Sequence, residues 1–289
     1  MPDNQQQTSP QPAPSIRRPD LDAYLRGEKL YGDDFDADEI RSWFADEEFG
    51  YFDLRASDTE RYRYKYHALN ELCGWRHLPS RPYPRILGLG SAYGEELRPI
   101  ARRAGHIIIL EPATGFAVTD IDGTPVTFAR PRPDGLLDWP DDSFHLITCL
   151  GVLHHVPNVT TVVRELCRCL IPDGYILMRE PVVSMGDWRR PRSGLTKRER
   201  GIPLEIFRSI ILSSGLQIVR ESNCVFSLTA HMRVFLRSPV YNSRAVVLVD
   251  RLLCRLPLWS HRYHPTNLFE KLRPTSVFFV LRKPPSAQP

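Results

Sequence analysis

The chain has 289 residues, of which 42% are hydrophobic and 25% are charged. This is enough for one sizeable α/β core with appendages, or for two small domains. The formal net charge of +4 permits an acidic substrate but does not require a nucleic acid. No stretch approaches the roughly 18 apolar residues of a membrane span. The first residues also lack the apolar centre of a secretory signal.

Six cysteines are present, and no two of them form a C-x-x-C pair. Zinc sites and redox centres usually show such pairs, and disulfides belong to oxidising compartments. We therefore expect reduced, mostly buried thiols in a cytoplasmic protein, and no metal site.

The first 80 residues are predicted to contain no sheet. Residues 1–19 are rich in Gln, Pro and Ser and are predicted to be disordered. Residues 20–80 are predicted to form a helical N-terminal cap, with a short helix at 36–44. A second helix at 62–73 follows a capping box at 57–60.

From Arg85 onwards the pattern changes to strands alternating with helices, which predicts a Rossmann-like α/β fold with a parallel sheet. Strands are predicted at 85–89, 106–110, 126–130, 145–149 and 175–180, with a late antiparallel strand at 276–281. Helices are predicted at 95–104, 159–169, 203–214 and 243–256. A hairpin at Asp122-Gly123 is predicted in place of one crossover helix. Residues 81–183 form the predicted core, and residues 184–289 the acceptor loop and the completion of the fold.

A glycine-rich turn follows the first predicted strand, in the sequence Arg85-Ile-Leu-Gly-Leu-Gly-Ser-Ala-Tyr-Gly94. Glycines let the backbone approach a ligand closely, and a helix N-terminus favours polar or anionic groups. Glu111 ends the next strand, 21 residues after Gly90, where a carboxylate can accept both hydroxyls of a ribose. Enzymes that use NAD share these two features, so a dehydrogenase is still open at this point.

The segment from Pro140 to Val156 continues with a turn, a buried strand and a loop that carries His154 and His155. A helix, the turn Pro172-Asp-Gly and another strand follow. With these residues the chain resembles the class I S-adenosylmethionine-dependent methyltransferases, in particular the ubiquinone/menaquinone-biosynthesis type. The resemblance covers about residues 84–181. It implies S-adenosylmethionine as the cofactor.

The resemblance also implies a set of cofactor-binding positions. These are Gly88, Gly90, Ser91, Gly94, Glu111, Asp134, Leu150 and Gly151. The chain departs from the family at Gly88, where the family usually has an acid that contacts the amino-acid part of the cofactor. It departs again at Ala92, where a glycine is usual. Asp134 is assigned to adenine only by alignment on the strand that follows it.

The acceptor side is expected beyond the carboxyl ends of the later strands. His154 and His155 are the candidate catalytic bases, because histidine titrates near neutral pH; the alternative is a structural pair that packs the loop. Candidate substrate-binding residues are Arg179, Glu180, Arg189 and Arg192. The two last belong to a basic segment, 184–201, that could bind an anionic acceptor or form a solvated surface.

These observations favour O-methylation of a small molecule or glycan. A non-catalytic S-adenosylmethionine-binding protein and an RNA methyltransferase are the alternatives. The sequence contains no recognisable RNA-binding module, so no nucleic-acid partner is expected. The methyl acceptor and the oligomeric state are left open.

Overall fold

A computed structural model describes residues 21–55, 63–236, 239–256 and 262–285. The predicted tail at 1–19 and the capping box at 57–60 lie outside these residues. The described chain folds into an α/β structure around one eight-stranded sheet with the order β3-β4-β2-β1-β5-β6-β8-β7. The Rossmann-like fold predicted from the sequence is confirmed.

The strands agree with the predicted ones to within a few residues, except for one that the sequence did not reveal. They are β1 (Tyr83–Leu89), β2 (Ala104–Leu110), β3 (Asp120–Ile121), β4 (Thr124–Ala129), β5 (Phe144–Leu150), β6 (Leu170–Pro181), β7 (Gln217–Phe226) and β8 (Pro274–Arg282). β7 was missed because polar residues interrupt its alternation. It pairs with β8 in antiparallel fashion, and β8 pairs in the same way with β6.

The described helices differ more from the prediction than the strands do. They are α1 (Leu21–Arg26), α2 (Ala37–Arg55), α3 (His67–Cys73), α4 (Arg98–Ala101), α5 (Val159–Cys169), α6 (Leu204–Ser213), α7 (Ser227–Leu236), α8 (Arg244–Leu253) and α9 (Leu268–Lys271). The helix predicted at about 95–104 is present but shorter: a 3-10 turn, Glu95–Leu97, precedes the single turn of α4, and β2 already begins at Ala104. Conversely, α2 continues well beyond the predicted end at residue 44.

The predicted hairpin is present between β3 and β4. Asp122 (φ +50°) and Gly123 (φ +84°) form its turn. Both residues have the positive φ that a tight two-residue hairpin requires. The chain therefore reaches β4, at the edge beside β2, without a crossover helix.

Apolar side chains cover both faces of the sheet. One face packs α5 and α6 through residues such as Val163 and Phe207. The other face packs α3 and α8 through residues such as Leu69 and Val247. All six cysteines are free and buried, as predicted. In the part of the chain that the structure describes, no helix is long and apolar enough to cross a membrane.

The topology brings four strand ends to one edge of the sheet. β1 lies between β2 and β5, and β6 lies beyond β5, and all these pairs are parallel. The loops that follow the four strands therefore meet at one edge. Ligands in open α/β sheets bind at this edge, and the candidate site lies there.

Candidate functional site

The glycine turn after β1 is tightly packed against its neighbours. Gly90 has φ +62°, and its N–H donates to the Leu110 carbonyl at 2.8 Å. A Cβ on Gly90 would lie 2.5 Å from Cγ2 of Val152, and one on Gly94 would lie 2.3 Å from Cδ1 of Ile121. Both positions thus require glycine for backbone conformation and for space. The turn joins the loop after β1 directly to the loop after β5.

Glu111, at the end of β2, points back into this turn. Its carboxylate accepts the Ala92 N–H at 3.2 Å through Oε2 and the Ala113 N–H at 3.3 Å through Oε1. The residue is only 2% exposed. A carboxylate has about four acceptor positions, and these two amides orient the group. This is the chemistry that a ribose diol needs.

Gly88 stands where the sequence analysis noted that an acid is usual. A Cβ on Gly88 would lie 2.4 Å from the Ser91 hydroxyl, so this side chain excludes an acid there. Glu96, in the turn that follows, is buried beside Ser91. Burial raises the pKa of Glu96 to about 7, although the Ser91 hydroxyl opposes that rise. The sequence analysis did not single out Glu96, because it lies outside the family pattern.

Arg179, predicted to contact the substrate, is buried under the N-terminal segment. Its guanidinium lies 3.8 Å from the centre of the Tyr66 ring and donates to Oδ1 of Asn70 at 3.2 Å. It also donates to the Leu150 carbonyl at 3.3 Å. Arg179 therefore ties α3 to the end of β5. A Cβ on Gly151 would lie 3.4 Å from this guanidinium, so Leu150, Gly151 and Arg179 are grouped together.

Glu180, the next residue of β6, holds the histidine loop. Its carboxylate accepts the N–H groups of Val152 and Leu153, both at 2.8 Å. Its other oxygen lies 2.7 Å from Nδ1 of His154. The carboxylate is fully buried. Glu180 thus fixes both the backbone of the loop and the ring of His154. The sequence analysis placed Glu180 among the substrate-binding residues and did not predict these contacts.

His155 has a carboxylate partner of its own, from a distant part of the chain. Nδ1 of His155 lies 2.9 Å from Glu47 on α2, and Oε1 of Glu47 accepts the Thr196 hydroxyl at 2.8 Å. Thr196 also donates its N–H to Glu199 at 3.0 Å. Trp43, one helical turn before Glu47, donates its indole N–H to the His155 carbonyl at 2.7 Å. Residues four apart share a helix face, so α2 is anchored on the loop by two contacts.

The two histidines have pKa values shifted in opposite directions. Burial and the neighbouring His155 lower the pKa of His154, against the opposing effect of Glu180. Burial also lowers that of His155, but the hydrogen bond to Glu47 and the charges of Glu199, Glu47 and Glu180 outweigh it, so the pKa of His155 is raised. The hydrogen bonds of His154 and the surrounding amides hold the pKa of Glu180 below its usual value despite its burial. The surroundings of Glu180 therefore favour its negative form beside His154.

Glu47 and Glu199 were not found from the sequence. Glu47 lies 108 residues before His155, and no local pattern connects the two. A helix whose buried face carries Trp43 and Glu47 four residues apart was the available signal, but the predicted helix ended at residue 44. Glu199 lay within the segment 184–201, where only the basic residues were considered.

The basic segment does not present six free positive charges. Arg189 pairs with Asp187 at 2.8 Å and lies near Asp22 at 3.5 Å. Arg192 donates to the carbonyls of Met185 and Thr196 at 3.2 and 3.0 Å. Lys197 and Arg198 share Asp46 on α2.

Arg200, in the same segment, is fully buried. It donates to four backbone carbonyls, those of Tyr31, Leu153, Val156 and Pro157. The segment is therefore partly a structural brace for the histidine loop. Arg189, which is 41% exposed, is the more accessible of its two candidate acceptor-binding residues.

Asp134, the candidate adenine ligand, lies in the loop after β4. Its carboxylate pairs with Arg132 at 2.6 Å and accepts the Leu136 N–H at 3.1 Å. Its carbonyl accepts a hydrogen bond from the Asn158 side chain at 2.6 Å. Asp134 is thus held at the start of α5, and its role toward the cofactor stays a prediction.

Part of the chain matches a known protein family. Residues 87–178 match the family model of the methyltransferase domain. That segment contains the glycine turn, Glu111 and the two histidines. The chain carries a class I S-adenosylmethionine-dependent methyltransferase domain. The family predicted from the sequence is confirmed, whereas the ubiquinone/menaquinone type stays a prediction.

Individual relatives agree with this assignment. An uncharacterized methyltransferase of Bacillus subtilis, YcgJ, is 48% identical over 42 residues, which are 14% of this chain and 17% of that protein. The match thus spans less than a fifth of the curated relative.

Two solved structures share the fold. One is described as a candidate sarcosine dimethylglycine methyltransferase from Galdieria sulphuraria, with a TM-score of 0.51 and 16% identity, and the match covers 83% of this chain and 98% of that one. The other is a Haloferax volcanii complex of a candidate methyltransferase with its activator Trm112, with a TM-score of 0.50 and 14% identity, covering 85% and 98% of the two chains.

The residues at the sheet edge fit S-adenosylmethionine, the cofactor of this family. The buried carboxylate of Glu111 suits the ribose hydroxyls, and the turn at Gly90 brings the backbone close to it. The methionine part of the cofactor carries an amino and a carboxylate group, which require partners of opposite charge. The carboxyl group of Glu96 and the guanidinium of Arg179 are candidate partners. The positive charge of Arg179 acts to lower the pKa of Glu96, against the larger effect of burial.

Proposed function

We propose that the protein transfers a methyl group from S-adenosylmethionine to an oxygen atom of a small molecule or glycan, which can be anionic. The observation that carries the proposal is the meeting of two half-sites at one edge of the sheet. Glu111 and the glycine turn supply the cofactor half. His154, oriented by Glu180 at 2.7 Å, supplies the acceptor half. Val152 connects the two half-sites, because its side chain packs beside Gly90 and its N–H donates to the carboxylate of Glu180.

In this reaction the bound cofactor supplies an activated methyl group on a sulfonium. The protein has to align the acceptor and exclude water, and alignment can account for much of the rate. Glu180 fixes the ring of His154, and Glu47 fixes that of His155. Rings that are already held in one orientation lose no further rotamer freedom when they act as a base on an acceptor hydroxyl. We therefore assign the role of catalytic base to these two histidines.

The proposal is tested with the purified full chain. Isothermal titration calorimetry should show binding of S-adenosylmethionine and of its demethylated product, but not of NADH or NADPH. Labelled methyl groups should then move to a component of a fractionated cell extract, and the product bond should be an ether or ester. Tighter binding of NADH would replace the proposed reaction with hydride transfer.

Two further outcomes would each change the assignment. Cofactor binding without transfer to any fraction would favour the non-catalytic alternative. Transfer confined to RNA, with binding that weakens steeply as salt rises, would favour an RNA substrate. A labelled amine or thiol product would leave the methyltransferase assignment intact and reject oxygen as the acceptor atom.

A further inference from the structure

Three side chains that are able to bind a metal ion lie close together at the acceptor edge of the sheet. His154, His155 and Glu199 each offer one ligand atom, and these three atoms lie within 4.8 Å of one another. Nε2 of His154 is 3.6 Å from Oε1 of Glu199. The two imidazole rings lie 4.1 Å apart between their centres.

We propose that His154, His155 and Glu199 bind one divalent transition-metal ion, with Zn²⁺ as the best match. Two imidazoles and one carboxylate form a ligand set typical of catalytic metal sites with an open position. An ion with bonds of about 2.0–2.2 Å would fit after each ligand moves inward by about 0.5 Å. The sequence analysis expected no metal, and the proposal departs from it because Glu199 was not considered there.

The surroundings of the ligands support an ion. A histidine that binds a metal through one nitrogen usually donates the other N–H to a carboxylate or carbonyl. Nδ1 of His154 is 2.7 Å from Glu180, which leaves Nε2 directed to Glu199. The ring of His155 is held by Glu47 at 2.9 Å. Such carboxylates fix the orientation of a ligand and raise its basicity.

The charges also call for a cation. Three carboxylates, those of Glu47, Glu180 and Glu199, are 8%, 0% and 7% exposed. Within the described residues, the partners that satisfy the ion-pair distance for these three are the two histidines. The guanidiniums of Arg192 and Arg200 donate to backbone carbonyls, and their charges compensate these carboxylates only from a distance. Burying several carboxylates is costly unless positive charge compensates them, and a divalent ion would supply that charge.

The proposed role of the ion rests on the proposed function, whereas its binding does not. A metal ion lowers the pKa of a coordinated hydroxyl. With an ion in place, the histidines would hold the ion and no longer act as bases. A coordinated acceptor hydroxyl would then lose its proton to water, and its oxygen would take the methyl group as the demethylated cofactor leaves. The acceptor class then narrows to alcohols and phenols that can coordinate through oxygen.

The test begins with the full chain after dialysis against a chelator, with circular dichroism to confirm folding. Zn²⁺ and Co²⁺ are titrated by calorimetry, and Co²⁺ is also followed by its visible absorption. We expect one ion per chain, and little competition from Mg²⁺, because imidazole ligands disfavour Mg²⁺. No Zn²⁺ or Co²⁺ binding at up to millimolar concentration, or equal binding of Mg²⁺, would overturn the proposal.

Variants locate the ion. His154→Gln, His155→Gln and Glu199→Gln should each weaken Co²⁺ binding at least 10-fold and alter its spectrum. Glu47→Gln should weaken it about 10–100-fold, as expected for a residue that orients a ligand. His231→Gln on α7 and Glu205→Gln on α6 are matched surface controls and should bind normally. Unchanged Co²⁺ binding in folded ligand variants would place the ion elsewhere and reject the site.

A parallel assay separates this inference from the proposed function. Methyl transfer to the extract is measured on the chelated protein before and after Zn²⁺ is restored. Full transfer without an ion would reject the metal's role and leave the methyltransferase assignment standing. One ion bound at the site without any transfer would retain the metal site and reject the proposed reaction.

Discussion

The two halves of the candidate site are assembled in different ways. Much of the cofactor half comes from one short stretch: Gly90, Glu96 and Glu111 lie within 22 consecutive residues, from the end of β1 to the end of β2. The acceptor half combines α2, the loop after β5, the end of β6 and the segment 184–201. Glu47 reaches across 149 positions to Thr196 and 108 to His155.

This difference has a physical consequence. In the cofactor half, strand-turn-strand geometry already places the groups, so few other contacts are needed. In the acceptor half, the loop keeps its shape only while distant segments stay docked on it. Variants should therefore act on cofactor binding locally in the first half, and on stability and transfer together in the second.

The largest effect should come from Arg200→Met, which tests the docking of the acceptor half. The replacement keeps much of the apolar stem but removes one donor from four backbone carbonyls. The carbonyls of Leu153 and Pro157 keep a backbone N–H donor, so the main cost falls on those of Tyr31 and Val156. Because a buried unsatisfied polar group costs about 1–3 kcal/mol, we expect a loss of about 3–5 kcal/mol in the free energy of unfolding. Urea denaturation measures this loss.

Arg198→Met is the matched control for that variant. Arg198 pairs with Asp46 at 2.9 Å near the surface, and a pair of this kind contributes about 1 kcal/mol at most. Equal effects of the two variants would show that the segment is a uniform basic surface and that the acceptor half is not braced.

Next in size, Gly90→Val should weaken S-adenosylmethionine binding at least 100-fold. The new Cβ would overlap Val152 at 2.5 Å, and the backbone has φ +62°. Gly123→Ala is the control, because Gly123 also has a positive φ but has nothing within 4 Å of its Cβ position. Calorimetry measures both. Normal binding by a folded Gly90→Val protein would mean that the cofactor does not use this turn.

Glu111→Ala should have a smaller effect, on binding and not on folding. Hydrogen bonds to charged groups contribute about 1.5–3 kcal/mol, which corresponds to a dissociation constant raised about 10–150-fold. Asp138→Ala, at an exposed position paired with Arg132, is the control. An unchanged dissociation constant for Glu111→Ala would remove this residue from the site.

The sequence predicted the glycine turn and Glu111 at one edge of the sheet for the same reason that their variants should act locally. Gly90 and Gly94 are read from a pattern of ten residues, and Glu111 from the end of the next strand. The missed residues depend on packing. Glu96 matters because Ser91 occupies the space at Gly88, and Glu47 because Trp43 docks α2 on the histidine loop. No residue spacing in the sequence predicts these contacts. The burial of Arg200 within the basic segment was not predicted, because composition does not reveal which basic residues are buried.

Glu96→Gln tests the buried acid of the cofactor half through pH. The pKa of Glu96 is raised to about 7 in the folded protein from 4.5. The folded state therefore binds the proton more tightly, and this stabilisation, complete below pH 4.5, is lost as pH rises toward 7. One pKa unit corresponds to about 1.4 kcal/mol, and relaxation of the site should reduce the total to about 1–2 kcal/mol.

The measurement compares urea denaturation of wild type and Glu96→Gln at pH 5 and pH 8. Wild type should lose stability relative to the variant over this range. If Glu96 also holds the amino group of the cofactor, the variant should bind S-adenosylmethionine more weakly at pH 8. A difference between the two proteins that does not change with pH would show that Glu96 is an ordinary ionised acid.

The smallest effect is expected for the exposed part of the acceptor half, tested by Arg189→Ala. The guanidinium pairs with Asp187 and is 41% exposed, so its loss should change the free energy of unfolding by less than about 1 kcal/mol. If the segment binds an anionic acceptor, Arg189→Ala should raise the acceptor KM several-fold and leave cofactor affinity intact. The effect should shrink as salt rises, because exposed charges are screened over about 8–10 Å at physiological ionic strength.

Arg192→Ala separates charge from position. Arg192 holds the segment through the carbonyls of Met185 and Thr196, so its loss should loosen the segment and lower transfer at every salt concentration. The double variant should combine both behaviours. Steady-state kinetics with the labelled extract fraction at two salt concentrations measures them. A wild-type KM in Arg189→Ala at low salt would mean that the exposed charge does not contact the acceptor, and that the acceptor half recognises its substrate through the buried cluster alone.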